Sequence, residues 1–183
     1  MDLNIPLTDK EIFNLKAGDR ITLSGVIYTA RDAAHARILE LIKNGDKLPI
    51  PLKGQVIYYV GPAPSKPGHV IGSAGPTTSY RMDPYVPSLL ERGLKAMIGK
   101  GPRSQEVKDA MRAHKAVYLA AVGGAAALIS QCIKKSEVIA YPELGAEAIR
   151  RLEVESFPAI VINDIYGNDM YQDGVERYRN YND

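Results

Sequence analysis

The chain of 183 residues has one cysteine, Cys132, no tryptophan and two phenylalanines. A lone thiol closes no internal disulfide, and a reducing, cytoplasmic location is the reading that follows. Alone it also holds neither a structural zinc nor an iron–sulfur cluster, which take three or four protein ligands. Charge of one sign is scarce too. The balance of 23 basic against 21 acidic residues gives a formal net charge of +2. That is too even to imply nucleic acid or an anionic membrane as the main partner. Long hydrophobic runs are missing. The weakly polar stretch from Ala116 to Ile133 is interrupted by Gly123, Gly124, Ser130 and Gln131. It reads as a buried strand, turn and helix rather than a membrane span. The first twenty residues are polar and carry acids early, unlike a signal peptide. His35, His69 and His114 are scattered and show no metal-ligand spacing.

What is present is the composition of a globular protein, 45% hydrophobic and 24% charged. We read residues 1–183 as one domain with a polar tail from about residue 164. That tail is rich in tyrosine (Tyr166, Tyr171, Tyr178 and Tyr181). Along the chain, a short leader strand and a turn at Gly18-Asp19 precede a β-branched strand over Ile21–Ala30. Asp32 stands where a helix N-cap belongs, and Ala34, Ile38, Leu41 and Ile42 recur at helical spacing up to Asn44-Gly45. Gln55–Val60 is a second strand. Gly61–Thr78 is a long connection rich in Gly and Pro, a length that is usually functional or disordered. Helical spacing returns over Ser79–Gly93, with Asp83-Pro84 as a cap and first-turn pair. A short strand over Ala96–Ile98 leads to Gly99-Lys100-Gly101, then a polar helix over Ser104–His114 and a strand over Ala116–Val122. Gly123-Gly124 opens a small-residue helix. The rest reads as a strand over Glu137–Tyr141, a short helix over Gly145–Arg151, and a strand over Val154–Asn163 broken by Pro158. Strands alternating with helices give an α/β class.

Three places can bind an anion. Arg31, in Thr29-Ala30-Arg31-Asp32, sits where a strand passes into a helix. A guanidinium there can grip a carboxylate together with the free N–H groups of the helix N-terminus. It can equally pair with Asp32 or another acid nearby. Thr77 and Thr78, in Gly75-Pro76-Thr77-Thr78-Ser79-Tyr80-Arg81, present hydroxyls ahead of a helix with Arg81 one turn on. The same pattern also serves as a plain helix cap, and a Thr hydroxyl is a poor base without help. Lys100 between two glycines can approach a ligand closely or be an exposed turn lysine. It is not a P-loop, and no G-x-G-x-x-G follows a strand. His35 reads as a partner to whatever Arg31 binds, or as structural. His69 is a loop residue, and Cys132 reads as a packed thiol.

At TARDAAH (29–35), KGQVIYYVGPAP (53–64), GPTTSYRMDPY (75–85), GKGPRS (99–104) and KKSEVIAYPELGAEAI (134–149) the chain resembles a known family. It is similar to the β subunit, or C-terminal domain, of class I iron–sulfur fumarases, and equally to the β subunit of L-tartrate dehydratase. The resemblance covers about residues 5–175. It implies a swivelling β/β/α domain, with a mixed sheet and helices packed on one side. It implies reversible hydration of fumarate to L-malate, a step of the tricarboxylic acid cycle, or dehydration of a related C4 dicarboxylate. A [4Fe–4S] cluster would be carried by a partner α subunit in an α2β2 assembly, not by this chain. By motif, Arg31 and Arg81 would bind substrate carboxylate, Lys100 the other end of the substrate with Thr78 beside it, and Thr77 would be the base at the carbon-bound proton. The family often has Ala-Gly where this chain has Ser79-Tyr80, a departure expected in the pocket wall. Gly123-Gly124 takes no role beyond backbone packing. Tartrate dehydratase is the alternative activity, and a non-catalytic anion-binding or regulatory module is the alternative of another class.

Overall fold

The computed structural model of the chain describes residues 1–65, 67–121 and 126–179. Strand β1 (Asp2–Asn4) leads into α1 (Asp9–Phe13). That helix starts on a capping box. The Thr8 hydroxyl accepts from Glu11 N–H, and the Glu11 carboxylate accepts from Thr8 N–H at 2.7 Å. Then come β2 (Arg20–Thr29), α2 (Asp32–Asn44), β3 (Val56–Tyr58) and, after the long connection, a 3-10 turn over Ser79–Met82. α3 (Val86–Leu90), β4 (Ala96–Gly99), α4 (Gln105–His114), β5 (Val117–Ala120) and α5 (Ala126–Cys132) follow. The chain continues through β6 (Ile133–Ala140), a 3-10 segment over Pro142–Glu147, β7 (Ile149–Asn163) and α6 (Met170–Arg179).

The strands form one mixed sheet in the order β1-β2-β3-β4-β5-β7-β6. Neighbours from β1 to β5 run parallel, while β7 lies antiparallel to β5 and β6. β7 also pairs antiparallel with β2, from Arg20↔Ile160 to Tyr28↔Arg151. This second pairing closes β2-β3-β4-β5-β7 into a ring. The α/β class expected from the sequence is therefore present, with a mixed sheet.

Alternation along the strands sorts the core into two clusters. Val56, Tyr58, Ala96, Ile98, Val117 and Leu119 point into the ring, where they meet Ile21, Leu23 and Phe157. Ile57, Tyr59, Met97 and Tyr118 point outward beneath α2, α3 and α4, which contribute Ala34, Ile38, Val86, Leu89, Val107 and Met111. Those three helices share one side. α1 and α5 instead join the inner cluster through Ile12 and Ile129. β7 keeps both of its ends in register by a bulge. Its inward positions change from even (Leu152, Val154) to odd (Phe157, Ala159, Val161) across Ser156, whose φ is +51°. The β2 register shifts at the same place, between Leu23 and Gly25. Pro158 sits opposite Thr22, whose N–H turns the other way to Met1 C=O, so the proline removes no bond of the β2–β7 ladder.

Two expectations are corrected. The stretch 145–151 is not a helix. Gly145 breaks the 3-10 segment at φ 58°, and Ile149–Arg151 belong to β7, paired with β6 and, at Arg151, also with β2. Asp83-Pro84 does not open a helix, because α3 starts after Tyr85. The tail from residue 164 is polar as expected, yet residues 170–179 coil into α6. Gly123-Gly124 and Tyr181 lie outside the described residues. Among those residues no helix is long and apolar enough to cross a membrane.

Phe157 is fully buried and meets the Tyr58 ring edge-on at 5.2 Å. Replacing it by Ala should lower unfolding free energy by about 3–5 kcal/mol. Val175→Ala, on the exposed face of α6, should change it by less than about 0.5 kcal/mol. Urea denaturation of the two variants beside the parent chain checks both values.

Candidate functional site

The carboxyl ends of β2, β3 and β4 lie side by side in the sheet, and each runs into a segment that the sequence singles out. Ligands of parallel α/β sheets collect at such ends, because the connecting loops and helix N-termini gather there. β2 ends at Thr29 and runs into Ala30 and Arg31. β3 continues to Val60, which pairs with Pro76 on the return of the long connection. β4 ends in Gly99, and the next residue, Lys100, pairs in parallel with Thr78.

Segment 77–79 is wedged between the ends of β3 and β4. Thr77 N–H donates to Tyr59 C=O at 2.7 Å, Lys100 N–H to Thr77 C=O at 3.2 Å, and Ser79 N–H to Lys100 C=O at 2.9 Å. Thr77, Thr78, Lys100 and Arg81 thus share one ledge. Arg81 stands on the 3-10 turn that follows. Both cations are exposed, and neither side chain makes an ion pair or hydrogen bond among the described residues. Thr78 is the N-cap of the turn, but its hydroxyl makes no capping bond. The plain-cap reading of these threonines is therefore not what the structure shows. The Thr77 hydroxyl likewise bonds to no base among the described residues.

Arg31 is on the same rim but is differently engaged. It is the N-cap residue of α2, and Asp32 is the first helical residue rather than the cap. Its guanidinium Nη2 lies 3.1 Å from Glu147 Oε1 and 3.6 Å from Asp32 Oδ1. Glu147 Oε2 accepts from Ala33 N–H at 3.4 Å. The pair of donors expected to hold an external carboxylate, an arginine and a helix N-terminal N–H, thus holds a carboxylate of the chain itself. Both side chains keep contact with solvent, 21% and 26% exposed, so the pair is worth about 0–1 kcal/mol and is exchangeable.

His35 backs this corner. It is fully buried, its Nδ1–H donates to Arg31 C=O at 2.9 Å, and its ring meets Tyr59 edge-on at 5.4 Å. Burial lowers its pKa from 6.5 to about 4; the bond to Arg31 opposes that, and the Arg103 charge adds to it. It is a neutral structural group holding the start of α2. His69 is exposed in the long connection. Cys132 is half-buried against the inner cluster, with Sγ 3.7 Å from Leu128 C=O and from Ser156 C=O. Among the described residues no three His, Cys, Asp or Glu side chains gather as a metal site.

Beneath the ledge lies a polar group that the sequence does not announce. Arg103, with no side-chain exposure, donates through Nε to Asp83 Oδ1 at 2.8 Å and through Nη1 to Tyr59 OH at 3.3 Å. Its guanidinium also covers the rings of Tyr59 and Tyr118, at 5.4 and 5.1 Å. Tyr118 OH donates to Gly101 C=O at 2.9 Å and lies 2.8 Å from Ser79 Oγ. Ser79 is fully buried, so this half of the Ser79-Tyr80 departure lies under the ledge and not in a pocket wall; Tyr80 is exposed. The one signal available was the Pro-Arg-Ser run before α4, where Ser104 caps the helix. Nothing local pairs Arg103 with Asp83, twenty residues away.

His35 binds a proton near pH 6.5 when unfolded and near pH 4 when folded, so folding stability should fall as pH drops through that window. The full loss is about 3 kcal/mol. The melting temperature of a His35→Gln variant, followed from pH 7 to pH 4, should fall less steeply than that of the parent. An identical slope would show that His35 is not the titrating group.

Residues 1–174 match the sequence model of the family described as Fumarase C-terminus. The aerobic class I fumarate hydratase of Escherichia coli K12 is 44% identical over 176 residues, which cover 94% of this chain and 32% of that protein. Fumarate hydratase 2 of Leishmania major is 42% identical over 93% of this chain and 31% of its own length. The chain thus spans about a third of these fumarate hydratases. A protein of Methanocaldococcus jannaschii named as a putative L(+)-tartrate dehydratase subunit beta is 40% identical over 173 residues, 91% of this chain and 89% of that protein. With the match running through every element that builds the ledge, the chain belongs to the fumarase C-terminus family.

Proposed function

We propose that this chain is the β component of a two-part, cytoplasmic [4Fe–4S] hydro-lyase, a swivelling β/β/α domain that adds water to fumarate to give L-malate, and removes it in reverse. The observation that carries the reading is the ledge itself. Two cations without an anionic partner among the described residues, Arg81 and Lys100, flank Thr77, whose main chain is bonded on both sides. That arrangement suits a ligand with a carboxylate at each end. Two charge-assisted contacts would contribute on the order of 1.5–3 kcal/mol each.

In this reading Arg81 takes one carboxylate of the C4 diacid and Lys100 the other, with Thr78 beside it. The Thr77 hydroxyl oxygen receives the proton from the carbon next to a carboxylate, provided that its own proton first passes to an ionised carboxylate acting as base. No carboxylate bonds it among the described residues, so that proton acceptor is assigned to the partner. As the carbon loses its proton, charge spreads onto the adjacent carboxylate. A fixed cation stabilises that charge more in the transition state than in the ground state. Arg31 would join by exchanging Glu147 for substrate.

A cluster held by three cysteines does not fit this chain, which has one cysteine, half-buried at the end of α5. The cluster is therefore assigned to an α subunit, in an α2β2 assembly. L-tartrate dehydration is the second reading, favoured because the tartrate dehydratase relative matches this chain in length. Its substrate is again a C4 dicarboxylate with a hydroxyl, so the same ledge serves.

The test is anaerobic co-expression with a cluster-bearing partner, followed by assays on malate, fumarate and both enantiomers of tartrate. Thr77→Ala and Arg81→Ala should each lower turnover by several hundredfold at unchanged iron and sulfide content. Full turnover in both variants would sink the reading and leave a non-catalytic anion-binding or regulatory module.

A further inference from the structure

Two backbone bonds already tie Lys100 to the Thr77–Ser79 segment, so the open question is what fixes the turn from the other side. Gly99 leaves no room for movement there. A Cβ on it would overlap the Ser79 hydroxyl oxygen and come within 2.9 Å of Tyr59 Cδ2. Gly101 has φ +81°, a conformation that side chains with a Cβ rarely adopt. Its carbonyl is taken by Tyr118 OH at 2.9 Å, and that same oxygen meets Ser79 Oγ at 2.8 Å. One hydroxyl therefore joins the far side of the Lys100 turn to the first residue of the 3-10 turn that carries Arg81.

The residue that caps that turn is fixed by the same group of side chains. Asp83, its C-cap, takes Arg103 Nε on Oδ1 at 2.8 Å and Ser104 N–H on Oδ2 at 2.7 Å. Arg103 lies against the Tyr118 ring and so links the two ends. A buried ion pair is weak evidence for stability, since apolar residues of equal volume often do as well or better. What the pair supplies here is geometry. The bond directions of a planar guanidinium set where Asp83 and the Tyr118 ring sit relative to each other. Burial also raises the Tyr118 phenol pKa well above its usual value, so the hydroxyl remains a donor at any ordinary pH.

We infer that Tyr118, braced by Arg103, is a positioning residue that holds Lys100 and Arg81 at one fixed separation. This rests on the reading of those two cations as the pair that grips the diacid. Lys100 and Arg81 meet solvent, whereas Tyr118 and Arg103 lie beneath and touch no substrate; they act through the backbone above them.

Tyr118→Phe is the decisive variant, because it keeps the ring and deletes only the hydroxyl; Arg103→Lys is the second. In the full chain, amide hydrogen exchange at Ser79 and Lys100 should rise about tenfold in Tyr118→Phe, the effect of one lost hydrogen bond. Exchange in β2 and β7 should be unchanged. In the active complex, the KM for the diacid should rise about tenfold in Tyr118→Phe. In a Lys100→Met background the same change should add almost nothing, because the effect passes through Lys100. Unchanged exchange at Ser79 and Lys100, or a KM effect that multiplies in full onto Lys100→Met, overturns the inference. If the parent complex turns over none of the four diacids, the functional reading fails, and the exchange experiment alone upholds or overturns the brace.

Discussion

The pairing of β7 with β2 is the constraint on which the rest of the molecule depends. Without it the strands would form an open sheet, and Phe157, Ala159 and Val161 would have no facing wall. With it, five strands enclose an apolar interior, and the parallel strands β2, β3 and β4 are held in register at their carboxyl ends. The bulge at Ser156 is the local strain that allows one long strand to serve both partners. The rim that bears Arg31, Thr77 and Lys100 is thus an outcome of closure elsewhere, in residues with no chemistry of their own.

Much of this was legible in the sequence where local pattern and tertiary demand agree. The alternation of β2, the apolar spacing of α2 that stops at Gly45, and the capped α4 all read directly. The Thr8-Glu11 capping box was equally legible as a start signal, yet the leader was read only as strand and turn. Elsewhere local preference loses. Glu-Leu-Gly-Ala-Glu-Ala-Ile-Arg-Arg is rich in helix formers, yet Ile149–Arg151 pair with β6, Arg151 also with β2, and stay extended. The pull of the sheet outweighs intrinsic propensities of a few tenths of a kcal/mol per residue.

The site divides in the same way. The motif residues were readable because anion binding uses few side chains, and those sit at strand ends and turns. Glu147 as the partner of Arg31 was not, since 116 positions of chain separate them and only the β6–β7 connection brings them together. Nor were Arg103, Asp83 and Tyr118, whose contacts all cross between elements. A buried arginine looks the same in a sequence as a solvated one.

The ledge has a consequence for range as well as for contact. Arg81 and Lys100 are two like charges on one exposed shelf, with no acid bonded to either among the described residues. Their fields add outward into solvent instead of cancelling within the chain, although the whole chain is close to neutral. The reach of that field is set by dissolved ions, about 8 Å at physiological salt and about 30 Å at a hundredth molar. A doubly charged anion is therefore drawn toward the shelf from several molecular diameters away in dilute buffer. At physiological salt it is drawn only at the last step of its approach.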